Sequence, residues 1–177
     1  MGGSIRDEFK VKKSKKLKSL CILPHYGGCC GVELSSLFKT TFDIERLRIS
    51  RVNSAVQADV LLIGGLITLK SLRDIIKIYE EMTNPKYIVV CGSCNINGGL
   101  CWDSYNTIKE LEKFLPVDLY INGCPPRPEA IIDGLERLMK SIGENAMNGY
   151  DRYQRYHFQY KMNQTEILEK GDDNENR

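Results

Sequence analysis

The sequence of 177 residues lacks several features that mark membrane, secreted and nucleic-acid-binding proteins. No apolar run approaches the roughly 18 residues that a membrane-spanning helix needs. The amino terminus has no signal-peptide apolar core, so we expect a protein that stays in the cytoplasm. A formal net charge of +2 is too small to indicate a nucleic-acid partner, and we predict none. With 42% apolar and 27% charged residues, the composition is typical of one globular domain.

Cysteine is the residue that the sequence does contain in quantity. There are seven cysteines, an odd number. Thiols stay reduced in the compartment that we expect for this chain. The composition therefore argues against a disulfide framework and favours metal or redox chemistry.

Short apolar runs alternate with segments of helical period, and glycine or proline stands at most of the connections. The predicted strands are 17–23, 58–64, 86–91 and 117–121, with a short extended segment at 47–52, and the predicted helices are 32–38, 69–82, 107–114 and 128–143. The alternation predicts an α/β fold with a flavodoxin-like, four-stranded, mainly parallel sheet. Helices cover both faces, and the extended segment leaves room for a further edge strand.

Two segments flank the predicted domain of residues 17–145. Residues 1–16 are lysine-rich and predict a basic, flexible arm, with contact to an anionic membrane or an acidic partner as the alternative. In residues 146–177, aromatic and basic side chains interleave between Tyr150 and Tyr160. This favours an arm that contacts a partner protein over one that binds single-stranded nucleic acid. The polar end from residue 171 predicts disorder.

Four cysteines follow the predicted strands: Cys29 and Cys30 the first, Cys94 the third, and Cys124 the fourth. The carboxyl ends of parallel strands meet at one edge of an open sheet, so we expect these thiols to converge there. Packing has no need of sulfur in loops rich in glycine and proline. Four thiolates are the usual ligand set of a [4Fe–4S] cluster. The sequence therefore predicts a cluster site at this edge.

Two other interpretations of the cysteines remain open. Cys91 and Cys94 form a CxxC pair, the spacing of a redox-active dithiol, although Cys91 ends a strand and the active pairs begin a helix. A structural zinc ion uses similar ligands, but an adjacent pair such as Cys29 and Cys30 fits a tetrahedral ion poorly because neighbouring side chains diverge. Cys21 and Cys91 are explained as small buried hydrophobes within strands. Cys101 is left outside the site.

The last predicted helix adds positive charge beside Cys124. Its dipole is positive at its amino end, a few residues after this cysteine. Arg127 lies at the same place and offers five hydrogen-bond donors. Both would stabilise a reduced, anionic cluster and raise its potential. We therefore place Arg127 beside the cofactor.

Three segments resemble the motifs of the small iron–sulfur subunit of respiratory complex I and of energy-converting, membrane-bound [NiFe]-hydrogenase-related complexes. They are 27–33 (GGCCGVE), 92–94 (GSC) and 123–130 (GCPPRPEA). The resemblance covers roughly residues 17–145 and implies a truncated flavodoxin-like fold with one [4Fe–4S] cluster. It also implies an electron relay that faces a large, hydrogenase-like catalytic subunit.

The residue roles follow from the same resemblance. The ligands of the family carry over to the two adjacent cysteines and to Cys94 and Cys124. Glu33 matches the glutamate that follows the cysteine pair, and we predict a catalytic role for it in proton transfer or partner contact. A glutamate that merely begins a helix is the alternative.

The motifs also distinguish branches of the family. Hydrogenase members carry a Cys-x-x-Cys pair whose first cysteine falls at Gly27, whereas this chain has the adjacent pair of complex I. The GSCN and GCPPRPEA segments are nearer to the hydrogenase-related branch. This mixture resembles the small subunits of ferredoxin-fed, membrane-bound sulfane sulfur reductases.

That branch implies a peripheral subunit at the cytoplasmic face of the membrane, without an active site of its own. Electrons come from a ferredoxin-like iron–sulfur subunit, and sulfane sulfur or polysulfide reduction is coupled to ion translocation by membrane subunits. The alternatives are a subunit of a quinone- or phenazine-reducing, complex I-like dehydrogenase, the small subunit of a membrane-bound [NiFe] hydrogenase, and a free-standing metal-binding module.

Overall fold

The structure is a computed structural model that describes residues 19–39, 42–144 and 149–175 of the chain. The basic arm predicted for residues 1–16 lies outside the described residues. No helix within the described ranges is long and apolar enough to cross a membrane.

Strands and helices alternate through most of the chain. The strands are β1 (Leu20–Tyr26), β2 (Ile49–Arg51), β3 (Val60–Gly64), β4 (Tyr87–Cys91) and β5 (Leu119–Ile121). The helices are α1 (Gly28–Leu37), α2 (Leu69–Glu81), α3 (Cys94–Asn97), α4 (Pro128–Gly143), α5 (Gly149–Arg155) and α6 (His157–Glu175). α4 begins with Pro128 at its first position, as the sequence predicts.

The strands form one parallel sheet in the order β2-β1-β3-β4-β5, which is the flavodoxin-like order. The predicted α/β fold is confirmed. β2 occupies the edge position for which the extended segment 47–52 left room, so the sheet has five strands. The register pairs Gly64 with Cys91 and with Tyr26, which brings the carboxyl ends of the three central strands level. The connections that follow these strands therefore share one edge.

Apolar layers cover both faces of the sheet and fix the strands in place. Every residue of β3 and β4 is buried, as expected of strands covered on both sides. Leu72 and Tyr79 of α2 belong to the layer on one face. Leu34 of α1 and Leu135 of α4 belong to the layer on the other face. This scaffold holds the connections at the sheet edge.

The prediction of a helix over residues 107–114 is wrong. The structure has only a 3-10 turn there, at Leu111–Lys113. The backbone N–H of Ile108 donates to the carbonyl of Ile67 at 2.9 Å, and Thr107 forms an antiparallel bridge with Thr68. These contacts draw the segment into an extended path, although its apolar residues have a helical spacing.

The carboxyl-terminal segment forms α5 and α6, which pack on the domain itself. Tyr153 is only 5% exposed, and its ring meets that of Tyr79 edge to face at a centroid distance of 5.3 Å. α6 continues to Glu175, so disorder predicted from residue 171 is replaced by helix over 171–175. Contact of this segment with a partner stays a prediction.

Asp118 and Arg152 fasten α5 to the sheet. The Asp118 carboxylate accepts a hydrogen bond from the backbone N–H of Ile88 at 2.8 Å. Gly149 packs so closely that a Cβ on it would lie 2.1 Å from the same carboxylate. Arg152 donates to the carbonyl of Val117. We call these residues the α5 clasp, and they anchor the carboxyl-terminal helices beside β5.

Candidate metal centre

The four candidate cysteines lie at the carboxyl-terminal edge of the sheet. Cys29 and Cys30 are in the first turn of α1, Cys94 is the first residue of α3, and Cys124 follows β5. Three of them therefore begin helices, whereas the sequence predicted loops. The reason is that β1 and β4 pass into α1 and α3 within two residues.

The thiols lie near enough to act on one another electrostatically. Burial raises the pKa of Cys30 to about 12, and the charges of Cys29, Cys94 and Cys124 add to the rise. Burial also raises the pKa of Cys94, followed by the charges of Cys124, Cys29 and Cys101, while a backbone hydrogen bond from Leu100 lowers it. Thiolates so placed repel one another unless a positive group lies between them. A bound metal supplies such charge and deprotonates the thiols that coordinate it.

Burial divides the four cysteines into two pairs. Cys30 and Cys94 are buried, at 2% and 8% exposure, whereas Cys29 and Cys124 are exposed. A group held by all four would rest against the domain on one side and face outward on the other. That arrangement suits a redox centre that exchanges electrons with a neighbouring protein.

Glycines leave room for the two buried sulfur atoms. Gly92 has a φ of +97°, and a Cβ on it would lie 2.5 Å from the Sγ of Cys30. Gly99 has a φ of +51°, and a Cβ there would lie 3.0 Å from the Sγ of Cys94. In the structure these two glycines admit the sulfur atoms themselves.

The connections after β1 and β3 touch through their backbones. A Cβ on Gly65, whose φ is +81°, would lie 1.8 Å from the carbonyl oxygen of Gly27. A Cβ on Gly27 would lie 2.7 Å from the carbonyl oxygen of Gly64 and 2.8 Å from that of Leu66. This backbone has no room for a side chain at position 27, where the resemblance to hydrogenase members would place a cysteine.

The connections after β4 and β5 are joined by hydrogen bonds. The backbone N–H of Ser93 donates to the carbonyl of Gly123 at 3.0 Å, and the Ser93 hydroxyl lies 3.2 Å from the same oxygen. Ser93 precedes Cys94, and Gly123 precedes Cys124. The contact therefore sets the relative position of two candidate ligands.

Asn95 is a site-forming residue that sequence reasoning missed. Its side chain is fully buried, and its Nδ2 donates to the carbonyl of Gly65 at 2.6 Å. Its Oδ1 has no hydrogen-bond partner among the described residues. The bond fastens α3 to the connection after β3. An amide directly after Cys94 was the one signal that could have indicated it.

Arg127 and Glu33 lie close to the candidate ligands in sequence, but neither contributes to the pKa shifts of the thiols. Arg127 is the exposed N-cap residue of α4, and Glu33 is half-buried in α1. Burial, other cysteines and one backbone hydrogen bond account for the pKa shifts of Cys30 and Cys94, without a contribution from either residue. The roles of Arg127 and Glu33 stay predictions.

The structure argues against the redox dithiol. Cys91 is fully buried at the end of β4, and burial followed by the charge of Cys30 raises its pKa to about 12. A reactive dithiol instead needs a partly exposed cysteine with a lowered pKa. The single-ion alternative also lacks support, because within the described ranges no three His, Cys, Asp or Glu side chains converge to hold one metal ion.

Comparisons with known proteins agree with the resemblance that the motifs showed. Residues 28–138 match the family model described as "NADH ubiquinone oxidoreductase, 20 Kd subunit". NAD(P)H-quinone oxidoreductase subunit K of Staurastrum punctulatum chloroplasts is 39% identical over 140 residues, which cover 78% of this chain and 50% of the relative. The subunit K of Synechococcus sp. (strain CC9902) is 36% identical over 148 residues, covering 83% and 61%. The chain thus spans about half to three fifths of the length of these relatives.

Two solved structures resemble the fold. A chain of the membrane-bound sulfane sulfur reductase, an archaeal respiratory membrane complex, is 43% identical with a TM-score of 0.83, and the match covers 91% of each chain. A chain of an NAD+-reducing [NiFe]-hydrogenase is 18% identical with a TM-score of 0.51, covering 70% of this chain and 93% of that one, and shows the fold alone.

The recognition of the family, drawn from the three cysteine motifs, is therefore confirmed. The chain belongs to the family of the 20 kDa subunit of NADH-ubiquinone oxidoreductase.

Proposed function

We propose that this chain is the electron-transfer subunit of a membrane-associated, complex I-related oxidoreductase. One [4Fe–4S] cluster is held by Cys29, Cys30, Cys94 and Cys124. With this group bound, the chain would relay electrons from a ferredoxin-like iron–sulfur subunit to the active site of a large, hydrogenase-like catalytic subunit. The observation that carries the proposal is that four cysteines from three connections lie at one sheet edge. There the charges of neighbouring cysteines contribute to the raised pKa of Cys30 and of Cys94.

The thiol arrangement supports a cluster over a single ion. Around one ion, every donor must reach the same centre, whereas a cubane offers a different iron to each thiolate and so tolerates wider spacing. No three His, Cys, Asp or Glu side chains of the described residues are grouped to hold one ion, whereas the charges of Cys29, Cys94 and Cys124 contribute to the raised pKa of Cys30. The adjacent pair Cys29 and Cys30 can also bind two different irons without bending toward a common point.

The surrounding residues supply position, exclusion of water and charge. When bound, the cluster accepts and donates single electrons. The buried Cys30 and Cys94 hold its inner side against the domain, where the apolar layers exclude water. Arg127 and the amino end of α4 add positive potential beside Cys124. Glu33 lies one turn from Cys29 on α1, and we assign to it the transfer of a proton or contact with the large subunit.

Sulfane sulfur or polysulfide is the proposed substrate of the whole complex. The support is the 43% identity, over 91% of both chains, to the sulfane sulfur reductase chain. In this proposal the chain is peripheral, at the cytoplasmic face of the membrane, and membrane subunits couple the reaction to ion translocation. Quinone reduction is the second candidate, supported by the 39% identity to NAD(P)H-quinone oxidoreductase subunit K.

Substitution of a single cysteine in the intact complex tests the cluster assignment. We expect Cys124→Ser to remove one paramagnetic resonance signal of the reduced complex and to stop its turnover. Cys101→Ser is the matched control, because this cysteine is half-buried at the same edge but is not a proposed ligand. An undiminished signal in Cys124→Ser would remove Cys124 from the ligand set. With reduced ferredoxin as donor, faster reduction of polysulfide than of quinone supports the first substrate.

A further inference from the structure

The short turn that follows α3 folds back onto Cys94. Gly98 and Gly99 have φ values of +87° and +51°, so two consecutive residues adopt the left-handed conformation that ends a helix and reverses the chain. A Cβ on Gly99 would lie 3.0 Å from the Sγ of Cys94 and 3.2 Å from its Cα and its backbone nitrogen. The backbone of the turn therefore packs directly against the first residue of α3.

Hydrogen bonds to oxygen atoms fix the shape of this turn. The N–H of Gly98 donates to the carbonyl of Cys94 at 3.0 Å, and the N–H of Cys101 donates to the carbonyl of Gly98 at 2.9 Å. The N–H of Gly99 donates to the Oδ1 of Asn97 at 3.0 Å. These three bonds define the position of the remaining N–H of the turn.

The remaining donor is the backbone N–H of Leu100, and it is directed at sulfur. Burial raises the pKa of Cys94, and the charges of three other cysteines add to the rise, whereas the hydrogen bond from Leu100 acts in the opposite direction. A donor that lowers the pKa of a thiol stabilises the negatively charged thiolate. The turn thus presents a fixed N–H dipole to one of the proposed ligands.

The other buried sulfur atom has a different environment. Burial raises the pKa of Cys30, followed by the charge and the side-chain hydrogen bond of Cys29 and by the charges of Cys94 and Cys124. Within the described part of the chain, no backbone N–H lowers the pKa of Cys30. The turn after α3 therefore distinguishes the two inner ligands.

We propose that the backbone N–H of Leu100 sets the reduction potential of the [4Fe–4S] cluster through its hydrogen bond to the Sγ of Cys94. Reduction adds one negative charge to the cluster and its thiolates, and a hydrogen-bond donor stabilises the more negative state more strongly. Hydrogen bonds to the sulfur atoms are among the factors that set the potential of such clusters. The bond therefore raises the potential. This inference rests on the proposed function, because it requires a cluster bound at Cys94.

Leu100 is a positioning residue that acts through its backbone alone. Its side chain is 86% exposed, so it contributes little to the packing of the domain. The donor can therefore be removed or retained at this position without emptying the apolar core.

The test replaces the N–H of Leu100 with an ester oxygen in the intact complex. Incorporation of the α-hydroxy analogue of leucine at this position keeps the side chain and removes the donor. We expect the midpoint potential of the cluster, followed by its paramagnetic resonance signal, to fall by about 59 mV, which is a tenfold change for a one-electron couple. With isotope-labelled leucine, pulsed paramagnetic resonance should detect a nitrogen coupled to the reduced cluster, and the ester variant should lack this coupling.

Leu100→Pro and Leu100→Ala form a matched pair, because both lose the leucine side chain but only proline lacks the N–H. Leu100→Pro should shift the potential in the same direction as the ester, and Leu100→Ala should leave it unchanged. The ester variant decides the outcome where proline prevents the turn from forming.

Three results would overturn the proposal. They are an unshifted potential in the ester variant, an equal shift in Leu100→Ala, and loss of the cluster from the ester variant alone, since the bond would then hold the ligand instead of setting the potential. A normal cluster signal with an unshifted potential refutes this inference and leaves the proposed function intact. A cluster signal that persists in Cys94→Ser refutes the proposed ligand set and this inference together.

Discussion

The carboxyl-terminal edge of the sheet that carries the four cysteines, here the cysteine edge, and the α5 clasp at the amino ends of β4 and β5 differ in what completes them. The clasp is completed by the chain itself: the Asp118 carboxylate meets a backbone N–H, and Arg152 meets a carbonyl. At the cysteine edge, backbone contacts bring Cys30 and Cys94 near the other thiols. Burial, followed by the charges of neighbouring cysteines, raises the pKa of Cys30 and of Cys94. The difference indicates which part of the molecule needs a group from outside the chain.

The two regions also differ in the side chains that they require. The cysteine edge relies on the absence of side chains at Gly65 and Gly92. The clasp relies on the hydrogen-bonding side chains of Asp118 and Arg152 as well as on the close approach of Gly149. An added methyl group should therefore disrupt the first region, and the loss of a hydrogen-bonding side chain should disrupt the second.

The largest expected effect comes from Gly65→Ala. The φ of +81° is strained for alanine, and its Cβ would lie 1.8 Å from the carbonyl oxygen of Gly27, which is backbone and cannot turn away. We expect the free energy of unfolding to fall by about 4 kcal/mol, from strain and overpacking together. Denaturant unfolding followed by circular dichroism measures it.

Gly143→Ala is the control for that substitution. A Cβ at Gly143, the last residue of α4, has nothing within 4 Å. Its stability should be unchanged or higher by up to about 1 kcal/mol. Equal losses in the two alanine variants would show that the backbone contact at the cysteine edge has no special role.

The second-largest expected effect is a pH dependence of the free energy of unfolding, which comes from Asp118 in the clasp. Burial raises the pKa of Asp118 from 3.8 to about 6, against the opposing effects of two backbone donors and the charge of Arg152. The folded state therefore binds more protons than the unfolded state between about pH 4 and pH 6. This group makes the fold more stable as the pH falls through that window, by on the order of 3 kcal/mol.

Asp118→Asn removes this titration and leaves the others in place. Its loss of stability relative to the unchanged protein should thus be larger at pH 4.5 than at pH 7. Urea unfolding of both proteins at the two pH values measures the difference. A gap that is the same at both pH values would contradict the raised pKa of Asp118.

The smallest effect is expected at the surface of the same helices. The pair of Lys161 on α6 and Glu80 on α2 is 41% and 45% exposed. Glu80→Gln should change the free energy of unfolding by less than about 1 kcal/mol, because solvent screens such pairs. Tyr153→Ala, which removes a buried ring, should cost about 3 kcal/mol in the same unfolding experiment. A larger loss in Glu80→Gln would mean that the surface pair, and not the buried ring, attaches α6.

The strands and the cysteine edge could be predicted because their signals are local. β3 and β4 are buried on both faces and so appear as uninterrupted apolar runs, and parallel strands bring Cys94 and Cys124 to one edge wherever the helices lie. Residues 107–114 have the apolar period of a helix, but a long-range bond from Ile108 to Ile67 overrides it.

The remaining features depend on contacts between distant residues. The contact of Gly27 with Gly65 and the bond from Asn95 to Gly65 join segments about 30 to 40 residues apart, and no spacing in the sequence announces them. The aromatic segment after Tyr150 was predicted as an arm, because its composition does not reveal that Tyr153 packs on Tyr79 of α2.

The central claim is that the four thiols together hold one iron–sulfur cubane. The most direct test compares iron and acid-labile sulfide in the purified complex with those in a complex carrying Cys30→Ser and Cys94→Ser. The account predicts a loss of four irons and four sulfides per chain, with the other metals unchanged. Loss of one zinc ion without sulfide, or no loss of metal, would contradict it.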